Sequence, residues 1–192
     1  MRRWTSAALM GAAFAMAAMP VQAQSSWKSY VNKDLGFSFM APSEVTAGTG
    51  AMRGAVAGPH QTIVYRAESD NIEYKVTVLS LQQAQAEAAS ILGEREYMFQ
   101  DKKKVLMDVI ARVEPGKNSV YGRKLVVENP DGKERTMGAF YFTKGRLISL
   151  EATVGANGDP QSPDLGRFID SIAFDPIRAE PGATELQAPE LD

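Results

Sequence analysis

Cysteine is absent from this chain and histidine nearly so. The 192 residues contain no Cys and a single His, His60, in the segment Gly58-Pro59-His60, which predicts an exposed loop. Without Cys there can be no disulfide, thiol nucleophile, thiolate zinc site or iron–sulfur cluster. A Ser–His–Asp hydrolase would need His60 as its base, and no G-x-S-x-G segment accompanies it. We therefore predict no catalytic residue, no metal site and no cofactor.

An excess of positive charge is also lacking. Lys and Arg number 21 against 23 Asp and Glu, whereas a nucleic-acid binder concentrates basic residues on one face. Beyond residue 23 no apolar run approaches the ~20 residues that a membrane-spanning helix needs. The sequence thus predicts neither nucleic-acid binding nor stable membrane insertion of the mature chain.

Residues 1–23 have the three-part layout of a signal peptide. Arg2 and Arg3 form a basic head, residues 4–20 are apolar, and Val21-Gln22-Ala23 ends in small residues. This pattern predicts cleavage after Ala23 and a periplasmic or secreted location. A lipid anchor is excluded at the new N-terminus, because it would require a Cys there. The mature chain keeps 19 basic and 23 acidic side chains, a net charge of −4.

The mature chain divides into a domain and a tail. Residues 24–174 are long enough for a single domain with its own core. Residues 175–192 contain three prolines and five acids against one base, with few large apolar residues. This composition predicts a disordered acidic tail, either an inert solubilising end or a partner-binding peptide.

Alternation of apolar and polar residues predicts a mostly antiparallel sheet. Ile72, Tyr74 and Val76 alternate with polar residues, which places one side in the core, and Asp70-Asn71 before them suits a tight hairpin turn. The other predicted strands are joined mostly by tight turns. The full set is 27–31, 36–41, a strand fragment with a glycine-rich mobile loop over 46–58, then 61–68, 72–81, 123–128, 135–143 and 146–154.

Two segments have the three- and four-residue spacing of helices. The first runs over 83–104 and contains Gly93, with Lys102-Lys103-Lys104 at its C-terminal end, where cations are favoured. The second begins at Ser162-Pro163, a typical helix start, and has an apolar stripe through Phe168. Residues 105–113 fit either a helix extension or a strand, and we favour a strand. The fold class is therefore α+β, with an antiparallel sheet flanked by a long central helix and a C-terminal helix.

Acidic residues offer no recognisable catalytic pair. Glycosidases need two carboxylates across a cleft. Glu94 and Glu96 are two residues apart on the predicted helix, so they point to different faces. We expect both to be solvated, and we expect Glu151 to point outward from its strand into solvent.

Tyr121-Gly122-Arg123 is the candidate partner-binding cluster. It follows Pro115-Gly116-Lys117-Asn118, which predicts a junction between a loop and a strand, with Gly122 allowing a close turn. Tyr121 and Arg123 are residue types enriched at binding hot spots. The alternative is that Tyr121 packs at the rim of the core and that Arg123 pairs with a surface acid.

Several segments together resemble the PsbP/MOG1-like family. They are Tyr30, Gly36-Phe37-Ser38-Phe39 and Pro42, the long central helix, and Arg167-Phe168-Ile169-Asp170-Ser171-Ile172-Ala173-Phe174. The resemblance implies an α/β/α sandwich. The family includes photosystem accessory proteins, nuclear-transport cofactors, bacterial envelope proteins and secretion chaperones. Its members with assigned roles are generally non-enzymatic binders and assembly factors, so the resemblance implies such a role here. It implies no role for any single residue.

These observations lead to one functional hypothesis and two alternatives. The first is a periplasmic or secreted, non-catalytic binding or assembly-accessory protein whose partner is an envelope protein. The second is a carrier of a small apolar molecule or lipid, bound between the long helix and the sheet. The last is a carboxylate-based hydrolase.

Overall fold

A computed structural model describes residues 27–53, 59–81, 87–113, 119–174 and 181–190. The predicted signal peptide lies outside these residues, so its cleavage stays a prediction. None of the helices in the described ranges is long and apolar enough to cross a membrane.

In these described ranges, ten strands form two sheets, and two helices accompany them. The three-stranded sheet has the order β10-β1-β2, and the seven-stranded sheet has the order β3-β4-β5-β9-β8-β7-β6. Every neighbouring pair in the larger sheet is antiparallel. The elements are β1 Lys28–Asn32, β2 Phe37–Ala41, β3 Thr46–Arg53, β4 Pro59–Ser69, β5 Ile72–Ser80, α1 Ala88–Gln100, β6 Lys104–Val113, β7 Val120–Glu128, β8 Arg135–Thr143, β9 Arg146–Val154, α2 Pro163–Asp170 and β10 Thr184–Glu185.

Other elements pack on both faces of the seven-stranded sheet. Helix α2 and the β1–β2 hairpin pack on one face, where Phe168 meets Tyr74 and Phe39 with ring centroids 5.2 Å and 6.1 Å apart. Helix α1 packs on the other face, where Phe99 meets Phe140 at 5.0 Å. The predicted α+β architecture, a sheet between two helices, is confirmed.

Local turn and capping chemistry explains why several predicted elements are confirmed. Asp70 and Asn71 have φ angles of 52° and 60°, the left-handed conformations that a tight β4–β5 hairpin requires. The Ser162 hydroxyl accepts a hydrogen bond from the Asp164 N–H at 3.3 Å, and Pro163 occupies the first turn of α2. Helix α2 therefore begins where its cap predicts, and it buries Phe168.

Helix α1 is shorter than its sequence pattern predicts. It ends at Gln100, Lys102 has a left-handed φ of 62°, and Lys104 already belongs to β6. The prediction that the three lysines close the helix is therefore wrong, and Lys103 instead lies over the Phe99 ring at 5.4 Å. Residues 83–86 fall outside the described part. The preference for a strand over 105–113 is confirmed by β6.

Strands β3 and β4 also differ from expectation. Residues 46–53 form a full strand paired with β4, and His60 lies within β4 opposite Met52, so the loop predicted at His60 is wrong. A Cβ at Gly50 would lie 3.0 Å from the Thr62 and Val64 side chains, so the small residue permits close pairing. The predicted mobile loop at 54–58 lies outside the described residues.

Part of the predicted acidic tail is ordered against the domain. Strand β10 pairs in parallel with β1, and the Leu186 N–H donates to the Val31 carbonyl at 2.8 Å. Leu186 and Ala188 pack against the main core. The prediction of disorder is wrong for this segment, because its few apolar residues meet the free edge of β1. Residues 175–180 and 191–192 are outside the described ranges.

Candidate functional site

Tyr121 and Arg123 lie inside a strand and not at a loop junction. Strand β7 begins at Val120, three residues before the predicted start. Gly122 between them makes no turn: a Cβ there would lie 2.2 Å from the Phe140 carbonyl oxygen and 2.5 Å from the Tyr141 ring. The glycine is required by close packing against β8. The two predicted site residues keep their alternation, so both project to the face of the sheet that carries α1.

Arg123 connects three elements through ion pairs. Its Nε lies 3.0 Å from Glu96 Oε2 on α1, and its Nη2 contacts Asp108 Oδ1 on β6. Arg123 thus pairs with acids, the alternative that the sequence left open, and it fastens α1 to the β6–β7 pair. The expectation that Glu96 is solvated is wrong, because its side chain is only 20% exposed.

The environment of Glu96 disfavours the ionised form of its carboxyl group. Burial raises its pKa, and a hydrogen bond and the charge of Asp108 raise it further, while Arg123 acts in the opposite direction. The net direction is upward. Two carboxyl groups therefore share one guanidinium where α1 meets the edge of the sheet.

Tyr121 is exposed to solvent and contacts Arg112. Its side chain is 58% exposed, and the Arg112 guanidinium lies 5.6 Å from the ring centroid. Arg112 in turn donates two hydrogen bonds to the Ser119 hydroxyl, at 2.9 Å and 3.1 Å. Ile110, opposite Arg123 in the β6–β7 register, is 72% exposed on the same face. We call Ile110, Arg112, Tyr121 and Arg123 the β6–β7 patch.

The strand that carries half of this patch is the last one of the sheet. Within the described residues β6 pairs only with β7, and its apolar side chains Val105, Leu106, Val109 and Ile110 are exposed. An edge strand presents unpaired backbone N–H and C=O groups that can accept another strand. The patch therefore combines apolar and aromatic surface with an available strand edge.

A second group of charges on the α1 face is internal. Glu151 on β9 is 8% exposed and lies 2.7 Å from the Lys75 ammonium, and Arg95 of α1 contacts its other oxygen. The prediction that Glu151 points into solvent is wrong, because α1 covers this side of the strand. Burial would raise its pKa, but the charges of Arg95 and Lys75 outweigh burial and hold the pKa below its usual value.

The described residues supply no group of three or more His, Cys, Asp or Glu that could hold a metal ion. Among the described residues, a cavity of about 570 Å³ lies at the β4–β5 turn beside Asp70. Another, of about 520 Å³, lies at the C-terminal end of α1 beside Tyr97. The carrier hypothesis expected an apolar pocket between α1 and the sheet. In that place Phe99 packs on Phe140, and the Arg95 guanidinium lies 5.0 Å from the Phe140 ring centroid.

Comparison with known proteins gives a likeness of shape. No protein-family model and no curated protein matches the chain. Among solved structures, the chain is similar to cyanobacterial PsbP (CyanoP) from Synechocystis sp. PCC 6803, with a TM-score of 0.49 and 13% identity over 83% of this chain and 98% of that one. PsbP is also one of the two proteins in the name of the family that the sequence resembles. At this level the similarity says nothing about function.

Proposed function

We propose that this chain is exported, loses residues 1–23, and acts as a non-catalytic binding or assembly-accessory protein for an envelope protein. The β6–β7 patch is its docking surface. The observation that carries the proposal is the exposure of Ile110 and Tyr121, side by side with Arg112, on the two outer strands β6 and β7 of the sheet.

The composition of the patch supports a protein partner. Tyr and Arg are the residue types that contribute most to binding at protein interfaces. The apolar Ile110 and the Tyr121 ring lie beside the charged group formed by Arg123, Glu96 and Asp108. An apolar centre with a polar rim is the usual anatomy of such interfaces.

The support around Tyr121 favours binding in a second way. Arg112 lies over the ring and is itself held by Ser119, so the ring is restrained before a partner arrives. A side chain that is already ordered loses less conformational entropy on association. The patch is therefore prepared for contact, unlike an isolated surface tyrosine.

The buried carboxylate of the described domain supports a non-catalytic role. A general acid needs a raised pKa and a general base needs access to substrate. Glu151 has neither property, because Arg95 and Lys75 hold it ionised beneath α1. Its contacts fit a structural ion cluster.

Site-specific photo-crosslinking in the native host tests the proposal. A photoreactive residue replaces Tyr121 in the full-length chain, and the matched control replaces Tyr97, an exposed tyrosine of α1 with 79% exposure. We expect position 121 to crosslink one envelope protein reproducibly and position 97 to leave it uncrosslinked. Mass spectrometry of the purified chain should give an N-terminus at Gln24.

Reconstitution with that purified protein completes the test. Ile110→Lys should weaken its binding about tenfold or more, since a charge at the centre of an interface is strongly unfavourable. Tyr97→Ala should leave the affinity unchanged. Equal crosslinking at both positions, or equal affinity of the Ile110→Lys variant, would reject the β6–β7 patch as the docking surface.

A further inference from the structure

The outer strand β6 has an irregular half and a regular half. Its register with β7 shifts between Val105 and Met107, which leaves Leu106 as the extra residue of a bulge. From Met107 to Val113 the pairing with β7 is continuous. Bulges and terminal lysines such as Lys104 hinder the addition of another strand at an edge. The segment 107–113 is therefore the part of the edge that can accept one.

This segment is complementary to itself when it runs antiparallel. We propose that β6 pairs with β6 of a second copy of this chain about a two-fold axis at Ile110. Asp108 then lies opposite Arg112 of the second copy, twice, and Ile110 lies opposite Ile110. Residues directly opposite each other in an antiparallel pair share a face, and opposite charges there stabilise the pair.

Other positions of the axis lose this complementarity. If the two-fold axis is moved by one residue, to position 109 or 111, Arg112 lies opposite an apolar residue, Leu106 or Ile110 respectively. If the axis is moved by two residues toward the N-terminus, Asp108 lies opposite Asp108. If it is moved by two toward the C-terminus, Arg112 lies opposite Arg112. Both arrangements place like charges together, which is destabilising. Ile110, the midpoint of the regular segment, is thus also the axis that the charges select.

The existing contacts of the two charged residues are compatible with this pairing. Asp108 already meets Arg123, and Arg112 already donates to Ser119. A carboxylate accepts from several donors and a guanidinium carries five N–H groups, so neither contact has to break. Val109, 44% exposed, and Ile110, 72% exposed, would both lose contact with water.

The inference goes beyond the proposed function, because it assigns a second copy of this chain as a partner of the same surface. One strand pairing buries less area than the ~1,200 Å² of a standard interface. The dimer should therefore be weak and concentration-dependent, with one sheet running through both copies. The Tyr121 rings of the two copies would then flank a composite patch.

Cysteine crosslinking tests the position of the axis, and the natural absence of Cys makes single-cysteine variants clean reporters. Opposed residues across an antiparallel pair have Cβ atoms about 5 Å apart. Mild oxidation of the mature protein should therefore convert Ile110→Cys to a disulfide-linked dimer. Tyr97→Cys, at least as exposed, should stay mostly monomeric. Equal crosslinking at the two positions would overturn the proposal.

Sedimentation velocity from micromolar to millimolar protein tests the pairing of charges. The wild type should show a mass that rises with concentration, and Ile110→Lys should stay monomeric. Asp108→Arg and Arg112→Asp should each stay monomeric alone and associate when mixed, because the mixture restores opposite charges at every 108–112 contact. If Asp108→Arg does not fold, Ile110→Lys and the cysteine pair still decide the matter.

The outcomes separate this inference from the proposed function. A monomeric wild type that captures one envelope protein through Tyr121 overturns the dimer and leaves the docking function in place. A concentration-dependent dimer without any captured protein supports the pairing and rejects the docking function. Failure of the mixed, folded charge variants to associate overturns the register.

Discussion

The two faces of the seven-stranded sheet are held by different forces. On the α2 face the core is aromatic and apolar, built around Phe168, Tyr74 and Phe39. On the α1 face a smaller apolar cluster is joined by two groups of charges, centred on Glu151 and Arg123. Buried apolar side chains carry no charge that salt can screen or that pH can titrate, whereas ion pairs respond to both ionic strength and pH. The α1 face, next to the β6–β7 patch, is therefore the adjustable side of the domain.

The largest expected loss of stability comes from a substitution in the core of the α2 face. Phe168→Ala removes a ring that is 1% exposed and in contact with Tyr74. We expect the free energy of unfolding to fall by about 3–5 kcal/mol, the usual cost of deleting a buried ring. Ile110→Ala is the matched control on an exposed side chain, and it should change stability by less than ~0.5 kcal/mol. Denaturant titration measures both, and a loss below ~1 kcal/mol for Phe168→Ala would mean that α2 is not docked as described.

The corresponding change on the α1 face removes a buried charge. Glu151→Gln leaves Arg95 and Lys75 without their shared anion, so we expect a loss of about 3 kcal/mol. Glu73→Gln is the matched control: Glu73 also faces α1's side of β5 but is 44% exposed, and its pairing with Arg66 at 3.5 Å should contribute less than ~1 kcal/mol. Equal effects in denaturant titration would contradict the contrast between buried and exposed pairs.

Two glycines sharpen the comparison, since one lies under each face. A Cβ at Gly122 meets the Phe140 carbonyl at 2.2 Å, which is backbone within the sheet, whereas a Cβ at Gly138 meets the ring of Phe99 on α1 at 2.7 Å. Gly122→Ala should cost up to about 3 kcal/mol and Gly138→Ala nearer 1 kcal/mol, because a helix side chain yields more easily than a strand. Thermal unfolding of both variants gives the order, and the reverse order would mean that α1 is the more rigid element.

The smallest effect concerns pH. Because the folded pKa of Glu151 is below its ordinary value of 4.5, its stabilising contribution is fully present above pH 4.5 and is lost as the pH falls through the folded value. The pKa of Glu96 is raised, so its contribution has the opposite sign and declines as the pH rises from 4.5 through the folded value. Melting temperatures measured against pH should show the first dependence disappear in Glu151→Gln and the second in Glu96→Gln. Parallel curves for wild type and both variants would contradict these assignments.

Much of the fold could be predicted from local pattern, because alternation and turn chemistry are local. Ile72, Tyr74 and the Asp70-Asn71 turn are where the pattern places them. Alternation also assigns Glu151 to the correct side of its strand. It does not reveal what covers that side, because the α1 position and the Lys75–Glu151 pairing depend on the order of distant strands. A charge on a strand was therefore expected in water and lies in the interior.

The candidate site was found by residue type and only partly by position. Tyr121 and Arg123 were identified, but their strand was predicted to begin late, because Gly122 was interpreted as a turn residue. The contribution of Ile110 and Arg112 was missed altogether. Apolar residues over 105–113 suggested a strand without showing that it lies at an edge, and exposure at an edge is set by the order of the whole sheet.

In the three-stranded sheet, β10 pairs with β1, so two segments that are far apart in sequence lie side by side. Lys33 and Glu185 are 152 residues apart in sequence, and their charged groups lie 2.7 Å apart. Synthesis runs from the N-terminus, so β1 is made long before the segment that pairs with it, and one side of β1 stays unoccupied until β10 is available. Copies that end before β10 would retain that unpaired strand edge, by which a protease or chaperone would distinguish them from copies that contain β10.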